Sequence, residues 1–99
     1  MNIYKSSGHY IGFTVQDNIF RWDGKYLGWI DNQNFIWDKE GNFKGRLVEQ
    51  NGIHYALKNT FDIPPVSKAP RVTPATPVLP TPSSSVAPIN PQIGVEDAF

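Results

Sequence analysis

Hydrophobic and polar positions repeat along the first half of the chain with a period close to 17 residues. Four segments begin with isoleucine, and the spacings between these isoleucines are 16, 17 and 17 residues. In the first three segments an aromatic residue follows the isoleucine, and two glycines flank a second aromatic residue further on. A fixed period of this kind is the signature of a repeat architecture. The isoleucines are Ile3, Ile19, Ile36 and Ile53, the first aromatics Tyr4, Phe20 and Trp37, the second aromatics Tyr10, Tyr26 and Phe43, and the glycines Gly8, Gly12, Gly24, Gly28, Gly41 and Gly45.

Each repeat unit predicts a β-hairpin. The first glycine follows polar residues, as in Trp22-Asp23-Gly24, and such positions favour tight turns with positive φ. Further turn signals, such as Asp17-Asn18 and Asn51-Gly52, separate the units. The pattern therefore predicts an all-β antiparallel meander and no helix. The predicted strands cover residues 2–5, 9–16, 19–22, 25–31, 35–38, 42–49 and 53–57.

The second glycine of each unit lies inside a predicted strand and leaves two interpretations open. It marks either a close backbone approach, where the hairpins meet at a shared axis, or a simple bend in each strand. Hairpins are only marginally stable alone, so the units must pack together, as petals around a pseudo-four-fold axis or as a short twisted roll. The unit that begins at Ile53 is incomplete, because Lys58 stands at the position of the first glycine, and it is a candidate cap.

The repeated isoleucine-aromatic start and the Gly-x-aromatic-x-Gly core resemble those of the bacterial four-fold beta-flower family. Four units and a proline-rich tail that ends in Glu96-Asp97-Ala98-Phe99 extend this resemblance along the chain. Tryptophan-glycine repeat proteins also contain glycine-aromatic hairpin repeats. The resemblance to the beta-flower family implies a four-fold β fold. It does not indicate a particular biochemical activity.

Composition divides the chain near residue 63. All nine prolines lie between Pro64 and Pro91, whereas twelve of the thirteen aromatic residues precede Pro64. A segment so rich in proline and so poor in large apolar residues favours extended, disordered conformations. We therefore predict a β-repeat domain over residues 1–63 and a disordered tail over residues 64–99. Within the tail, Arg71 precedes Pro74 and Pro77 at a spacing that polyproline-binding domains use.

Charge and the N-terminal sequence limit the partners and the location. The net charge is zero, which argues against nucleic-acid binding by phosphate neutralisation. The N-terminus has no apolar signal segment, and no stretch of the sequence approaches the ~20 apolar residues of a membrane span. We expect a cytoplasmic protein that contacts no membrane. A domain of this size without cysteine is marginally stable, so self-association into a homo-oligomer is one expected outcome.

The residues that could perform chemistry do not form a catalytic or metal-binding pattern. His9 and His54 occupy different positions of the repeat and do not have the spacing of zinc ligands. The aspartates Asp17, Asp23, Asp31 and Asp38 stand beside turn residues or at the end of a strand, where the side chain bonds the backbone. We therefore predict no enzymatic activity, no catalytic residue, no cofactor and no metal.

Two features remain as candidate interaction sites. The aromatic residues Tyr10, Tyr26, Phe43, Trp22 and Trp37 either line a ligand or partner surface or serve the core and self-association. The end of the tail, with Glu96, Asp97 and Phe99, is a candidate recognition peptide for an unidentified protein partner; docking onto the protein itself, or no role, are the alternatives. The sequence thus predicts an interaction module, with binding of a sugar, nucleotide or metabolite by the aromatic surface as the alternative.

Overall fold

The computed structural model describes residues 1–59, 65–89 and 95–99. These residues contain eight strands, and the described residues include no helix. The predicted end of the domain near residue 63 lies outside the described residues. The strands are β1 (Asn2–Tyr4), β2 (Tyr10–Val15), β3 (Asn18–Arg21), β4 (Tyr26–Ile30), β5 (Phe35–Asp38), β6 (Phe43–Gln50), β7 (Ile53–Asn59) and β8 (Val95–Asp97).

The strands form one sheet that closes on itself. Strands β1 to β7 follow one another as an antiparallel meander, and β1 then pairs with β7 in parallel, with Ile3 opposite His54. Seven strands thus form a closed barrel, and β8 adds an eighth strand to β7. The predicted all-β class, the meander and the four-fold arrangement of hairpins are confirmed.

The first glycine of each unit closes the same tight turn in three hairpins. In each turn the glycine amide bonds the carbonyl three residues earlier, and the glycine adopts a φ close to +90°. Only glycine populates this region without a steric penalty, so the turn type explains why the residue recurs. The three pairs are Gly8 with Lys5, Gly24 with Arg21, and Gly41 with Asp38.

The second glycine of each unit allows a close approach between neighbouring units. A Cβ added at Gly12 would overlap the carbonyl oxygen of Phe20, and Gly28 stands in the same relation to Trp37. The register of each hairpin also shifts at this point, as between Ile3 and Tyr4. Of the two interpretations given above, the close approach between hairpins is therefore the correct one.

The fourth unit begins at Ala56, which is three residues later than the start at Ile53 that the sequence repeat predicts. The third glycine of this type, Gly45, approaches the carbonyl of Leu57, so Leu57 is the counterpart of Phe20 and Trp37. Ala56, which precedes Leu57, is fully buried in one cluster with Ile3, Ile19 and Ile36. Ile53 is only partly buried and packs elsewhere. The prediction that Ile53 starts the fourth unit was wrong, because five residue pairs lie between Gly45 and the turn at Asn51-Gly52, whereas three lie between Gly12 and the corresponding turn.

The domain has an aliphatic interior and an aromatic exterior. The interior contains the buried isoleucines together with Ala56 and Ala98. Rings from the two strands of each hairpin pair on the other face of the sheet, because alternate side chains of a strand point to opposite faces. The pairs are Tyr4 with Tyr10, Phe20 with Tyr26, and Trp37 with Phe43, with ring centroids 5.7 to 5.8 Å apart.

The tail returns along the outside of the domain. Residues 65–89 contain no helix or strand, in agreement with the proline-rich composition. They contact the three hairpin turns in reverse order, with Lys68 at Gly41, Leu79 at Gly24 and Val86 at Gly8. Residues 95–99 then rejoin the sheet. The predicted division into residues 1–63 and 64–99 is therefore corrected, because β8 from the tail belongs to the folded sheet.

Candidate functional site

The end of the tail, residues 95–99, binds alongside β7. Strand β8 pairs antiparallel with β7, with Asp97 opposite Leu57 and Val95 opposite Asn59. Asp97 holds the position that an aromatic residue holds in the other hairpins, because their rings lie opposite Tyr4, Phe20 and Trp37. Residues 95–99 thus supply the second strand of the fourth hairpin, which the sequence after Ile53 lacks. We call the residues that contact this segment the peptide seat; they are Ser6, Gly45, Ala56 and residues 57–59 of β7.

Hydrogen bonds and burial fix the peptide in its seat. The amide of Ala98 donates to the carbonyl of Ala56 at 3.0 Å, and the amide of Ser6 donates to a carboxylate oxygen of Asp97 at 2.7 Å. The Ala98 side chain is 4% exposed and lies against Gly45, where an added Cβ would come within 3.2 Å of the Ala98 Cβ. Glu96, in contrast, is exposed. Asp97 and Ala98 are therefore the residues of the peptide that the domain contacts most specifically.

Phe99 extends from the seat into an open cleft of about 330 Å³ between the first two hairpins. Its ring packs against the isoleucine cluster of the interior. The cleft combines apolar walls with basic residues and one exposed indole, since Trp22 is 53% exposed. Such a surface can hold an apolar group and an anion together. The lining residues are Lys5, His9, Tyr10, Ile11, Arg21, Trp22, Leu27 and Phe99.

Lys5 and Arg21 of the cleft differ in their environment. Arg21 forms a bidentate ion pair with Asp23 in the second turn. Hydrogen bonding to Arg21 lowers the pKa of Asp23 to about 2. Lys5 is exposed at the matching position of the first hairpin, where Ser7 replaces the aspartate. The ammonium of Lys5 is consequently the cleft cation better placed to meet an external anion.

The five aromatic residues predicted to line a surface differ in their solvent exposure. Trp22 is exposed, and Tyr10 and Phe43 are half-buried. Tyr26 is 8% exposed and Trp37 is 1% exposed, so the prediction that these two rings line a partner surface was wrong. They are buried because the ring pairs of adjacent strands pack together and the tail covers them. The structure thus brings Tyr10, Trp22 and Phe99 to one cleft but leaves Phe43 away from it.

Two cations of the tail lie over two indole rings of the domain. The ammonium of Lys68 is 4.6 Å from the ring centroid of Trp37, and the guanidinium of Arg71 is 4.7 Å from that of Trp29. Lys68 also approaches the carboxylate of Asp31 at 3.4 Å. Cation–π contacts each contribute about 0.5–1 kcal/mol at exposed sites. The sequence does not predict these contacts of Lys68 and Arg71, because no local pattern indicates which distant ring a tail cation covers.

The described residues contain no group of three or more histidine, aspartate or glutamate side chains that could hold a metal ion. The predicted turn aspartates do bond the backbone: Asp38 accepts from the amides of Glu40 and Asn42, and Asp31 accepts from those of Gln33 and Phe35. The site therefore consists of binding surfaces formed by backbone groups, rings and a few charges.

Within the part of the chain that the structure describes, no helix is long and apolar enough to cross a membrane. No curated protein and no solved structure matches the chain. A comparison with known protein families does match residues 1–93, to the family described as 4-fold beta flower protein, which is not known as an enzyme family. This match covers nearly the whole chain and agrees with the closed sheet of hairpins. The chain belongs to the 4-fold beta flower protein family.

Proposed function

We propose that this protein is a non-enzymatic protein-interaction module whose peptide seat recognises a C-terminal peptide ending in an acidic residue, alanine and phenylalanine. Its own residues Val95–Phe99 fill the seat, and a partner chain with such an end, including a second copy of this protein, competes for it. The pairing of β8 with β7 carries this proposal. Addition of a strand to a sheet is a common mode of peptide recognition, because main-chain bonds give affinity and side-chain pockets give specificity.

Three contacts support specificity for this peptide. Asp97 accepts a hydrogen bond from the Ser6 amide, so a neutral residue would lose a charge-assisted bond. Ala98 is buried against Gly45 in the apolar interior, so a charged or polar side chain there would be unfavourable. Phe99 packs on the isoleucine cluster, so its ring adds apolar contact area. The cytoplasmic location and the homo-oligomer expected from the sequence remain part of this proposal.

Exchange between the peptide of the same chain and a peptide in solution tests the proposal. Because the peptide belongs to the same chain, its effective concentration is about millimolar, so it competes strongly with a free one. Ala98→Asp should release the attached peptide, because it places a charge in an apolar cluster. A labelled peptide of residues 95–99 should then bind the Ala98→Asp chain at least about tenfold more tightly than the wild type.

Glu96→Ala is the matched control, because Glu96 lies in the same strand with its side chain in solvent. The Glu96→Ala chain should bind the labelled peptide as weakly as the wild type does. Absence of peptide binding to an Ala98→Asp chain that keeps its buried-tryptophan fluorescence would refute the peptide seat as a recognition site.

A small anionic ligand in the cleft is the second candidate function. The cleft volume falls at the lower end of the range of about 300–1,000 Å³ that ligand pockets occupy. The exposed ring of Trp22 and the ammonium of Lys5 would contact an aromatic anion. A nucleoside monophosphate should then quench the fluorescence of the wild type but not of Trp22→Phe. Equal spectra with and without the nucleotide would eliminate this candidate.

A further inference from the structure

Two segments of the tail contact two turn glycines in the same way. The amide of Lys68 donates to the carbonyl of Gly41 at 2.8 Å, and the amide of Val86 donates to the carbonyl of Gly8 at 2.9 Å. At both positions a Cβ on the glycine would overlap the carbonyl oxygen of that same tail residue. The backbones of Lys68 and Val86 therefore lie directly against Gly41 and Gly8, in space that a side chain at either glycine would occupy.

The two segments also share a sequence. Ser67-Lys68-Ala69-Pro70 and Ser85-Val86-Ala87-Pro88 contain the two Ala-Pro dipeptides of the chain, and each is preceded by a serine and one variable residue. A proline restricts the residue before it to extended conformations, which holds the alanine and the variable residue in line along the turn. The variable residue must have an amide hydrogen, because that group makes the bond to the glycine.

The turn of the second hairpin has no such segment and is contacted differently. Gly24 meets the side chains of Thr76 and Leu79, with the Leu79 Cδ2 at 2.9 Å from the position of a Cβ. Nearby, the buried Tyr26 hydroxyl and Trp29 Nε1 have no hydrogen-bond partner among the described residues. A buried polar group without a partner is costly. The tail therefore fits the domain less well at the second hairpin than at the first and third.

Other bonds hold the Val86 segment in place. The Tyr55 hydroxyl donates to the carbonyl of Ala87 at 2.6 Å, and the amide of Ile89 donates to the carbonyl of Ser6 at 2.9 Å. The Tyr4 hydroxyl lies 2.5 Å from that of Ser83. These contacts come from the first hairpin and from β7, and two of the three are made to backbone groups of the segment.

We propose that the hairpin turn closed by Gly8, and its copy at Gly41, are recognition sites for an extended proline-rich segment of the form Ser-x-Ala-Pro. In the free protein the tail fills both sites. The partner that fits is another chain that carries this motif in a proline-rich segment, which would displace the tail of this protein. This proposal goes beyond the peptide seat, because it rests on the carbonyls of Gly8 and Gly41, which accept from tail amides, whereas β8 pairs with β7. Ser6 contacts both segments.

Removal of one amide hydrogen tests the proposal in the full chain. Val86→Pro eliminates the donor to Gly8 and is compatible with an irregular, extended segment. One hydrogen bond corresponds to a change of about fivefold in an equilibrium. The amide of Ile89 should therefore exchange its hydrogen about fivefold faster in Val86→Pro. A labelled peptide of residues 82–89 should bind this variant about fivefold more tightly than the wild type.

Val78→Pro is the matched control, since Val78 is exposed and the same change there should leave both measurements at wild-type values. A peptide that itself carries Val86→Pro should bind about fivefold more weakly than the unaltered peptide. The proposal would be overturned if the unaltered and the Val86→Pro peptides bound equally, or if the wild-type and the Val86→Pro chains bound the unaltered peptide equally. Absence of peptide binding to every chain would also overturn it.

A second pair of variants separates tail contact from turn strain. Gly41→Ala and Gly24→Ala place alanine at nearly the same φ, +89° and +91°, so the strain of the turn is common to both. Only Gly41→Ala collides with the tail backbone, whereas Gly24→Ala meets a flexible leucine side chain. The Lys68 amide should exchange faster in Gly41→Ala than in Gly24→Ala. Equal exchange in both variants would contradict a specific site at Gly41.

Discussion

At the scale of single residues, the glycines of the repeat have two separate physical roles. The turn glycines need a left-handed backbone, whereas Gly12 is needed because the carbonyl of Phe20 occupies the space of a Cβ. Gly52 offers a comparison, because its φ is +78° but nothing lies within 4 Å of a Cβ added there. Backbone strain and steric overlap can therefore be measured separately in this chain.

We predict that Gly12→Ala destabilises the fold far more than Gly52→Ala does. Overlap with a backbone carbonyl cannot be relieved by a rotamer change and should cost about 3 kcal/mol. Alanine in the left-handed region at position 52 should cost about 1 kcal/mol. The free energy of unfolding in urea measures both. Equal losses would mean that Gly12 and Phe20 do not approach each other closely.

Asp31 is the residue that links a turn, a buried ring and the tail. Its carboxylate accepts hydrogen bonds from the Trp37 indole at 3.0 Å and from two turn amides, and it lies near the Lys68 ammonium. Burial raises the pKa of Asp31, but these hydrogen bonds together outweigh burial and hold the pKa below its usual 3.8. The charged form therefore stabilises the folded state.

The lowered pKa of Asp31 predicts a loss of stability in acid. The contribution of this carboxylate is complete above pH 3.8, the usual value, and is lost as the pH falls through the lower value of the folded state. Asp31→Asn should reduce the free energy of unfolding by about 2 kcal/mol at pH 7 and flatten its decline below pH 4. Urea unfolding between pH 2 and 7 measures this. Asp17→Asn, in another turn, is the control variant and should lose less free energy of unfolding at pH 7 than Asp31→Asn does.

At the scale of elements, the local pattern was enough to predict the first seven strands. Alternation and turn residues depend on neighbours in sequence, so the predicted bounds agree with β1 to β7 within one or two residues. The fourth unit was misplaced because Ile53-His54-Tyr55 imitates the start of a repeat. Its true position depends on which carbonyl approaches Gly45, a contact between distant residues that no local pattern encodes.

The register of the fourth unit predicts unequal costs for two isoleucines. Ile36→Ala should lower the free energy of unfolding by about 4 kcal/mol, since this side chain is fully buried at the centre of the interior. Ile53→Ala should cost about 1 kcal/mol, because the side chain is only partly buried. Urea unfolding of both variants measures the difference. Equal costs would restore Ile53 as the counterpart of Ile36.

At the scale of the whole molecule, the tail and the domain form one compact body. The radius of gyration is 13.0 Å, close to the roughly 13 Å expected for a globular chain of this length. Composition predicted a disordered tail over residues 64–99, whereas residues 65–89, which contain no helix or strand, run along the domain and contact its hairpin turns. It could not predict the path of the tail, because that path is set by contacts with distant glycines and rings. For the same reason, the sequence predicted Asp97 and Phe99 as part of a candidate peptide but not the residues of the domain that hold them.

The amide of Ala98 provides the most direct measurement of the central claim, that the C-terminal peptide completes the fourth hairpin. This amide donates to Ala56 inside the sheet, whereas Val72 lies exposed in the tail. Hydrogen exchange of the full chain, followed by NMR, should show the Ala98 amide exchanging at least about tenfold more slowly than that of Val72. Exchange of both amides at the rate of an unfolded chain would show that the seat is empty and would contradict the account.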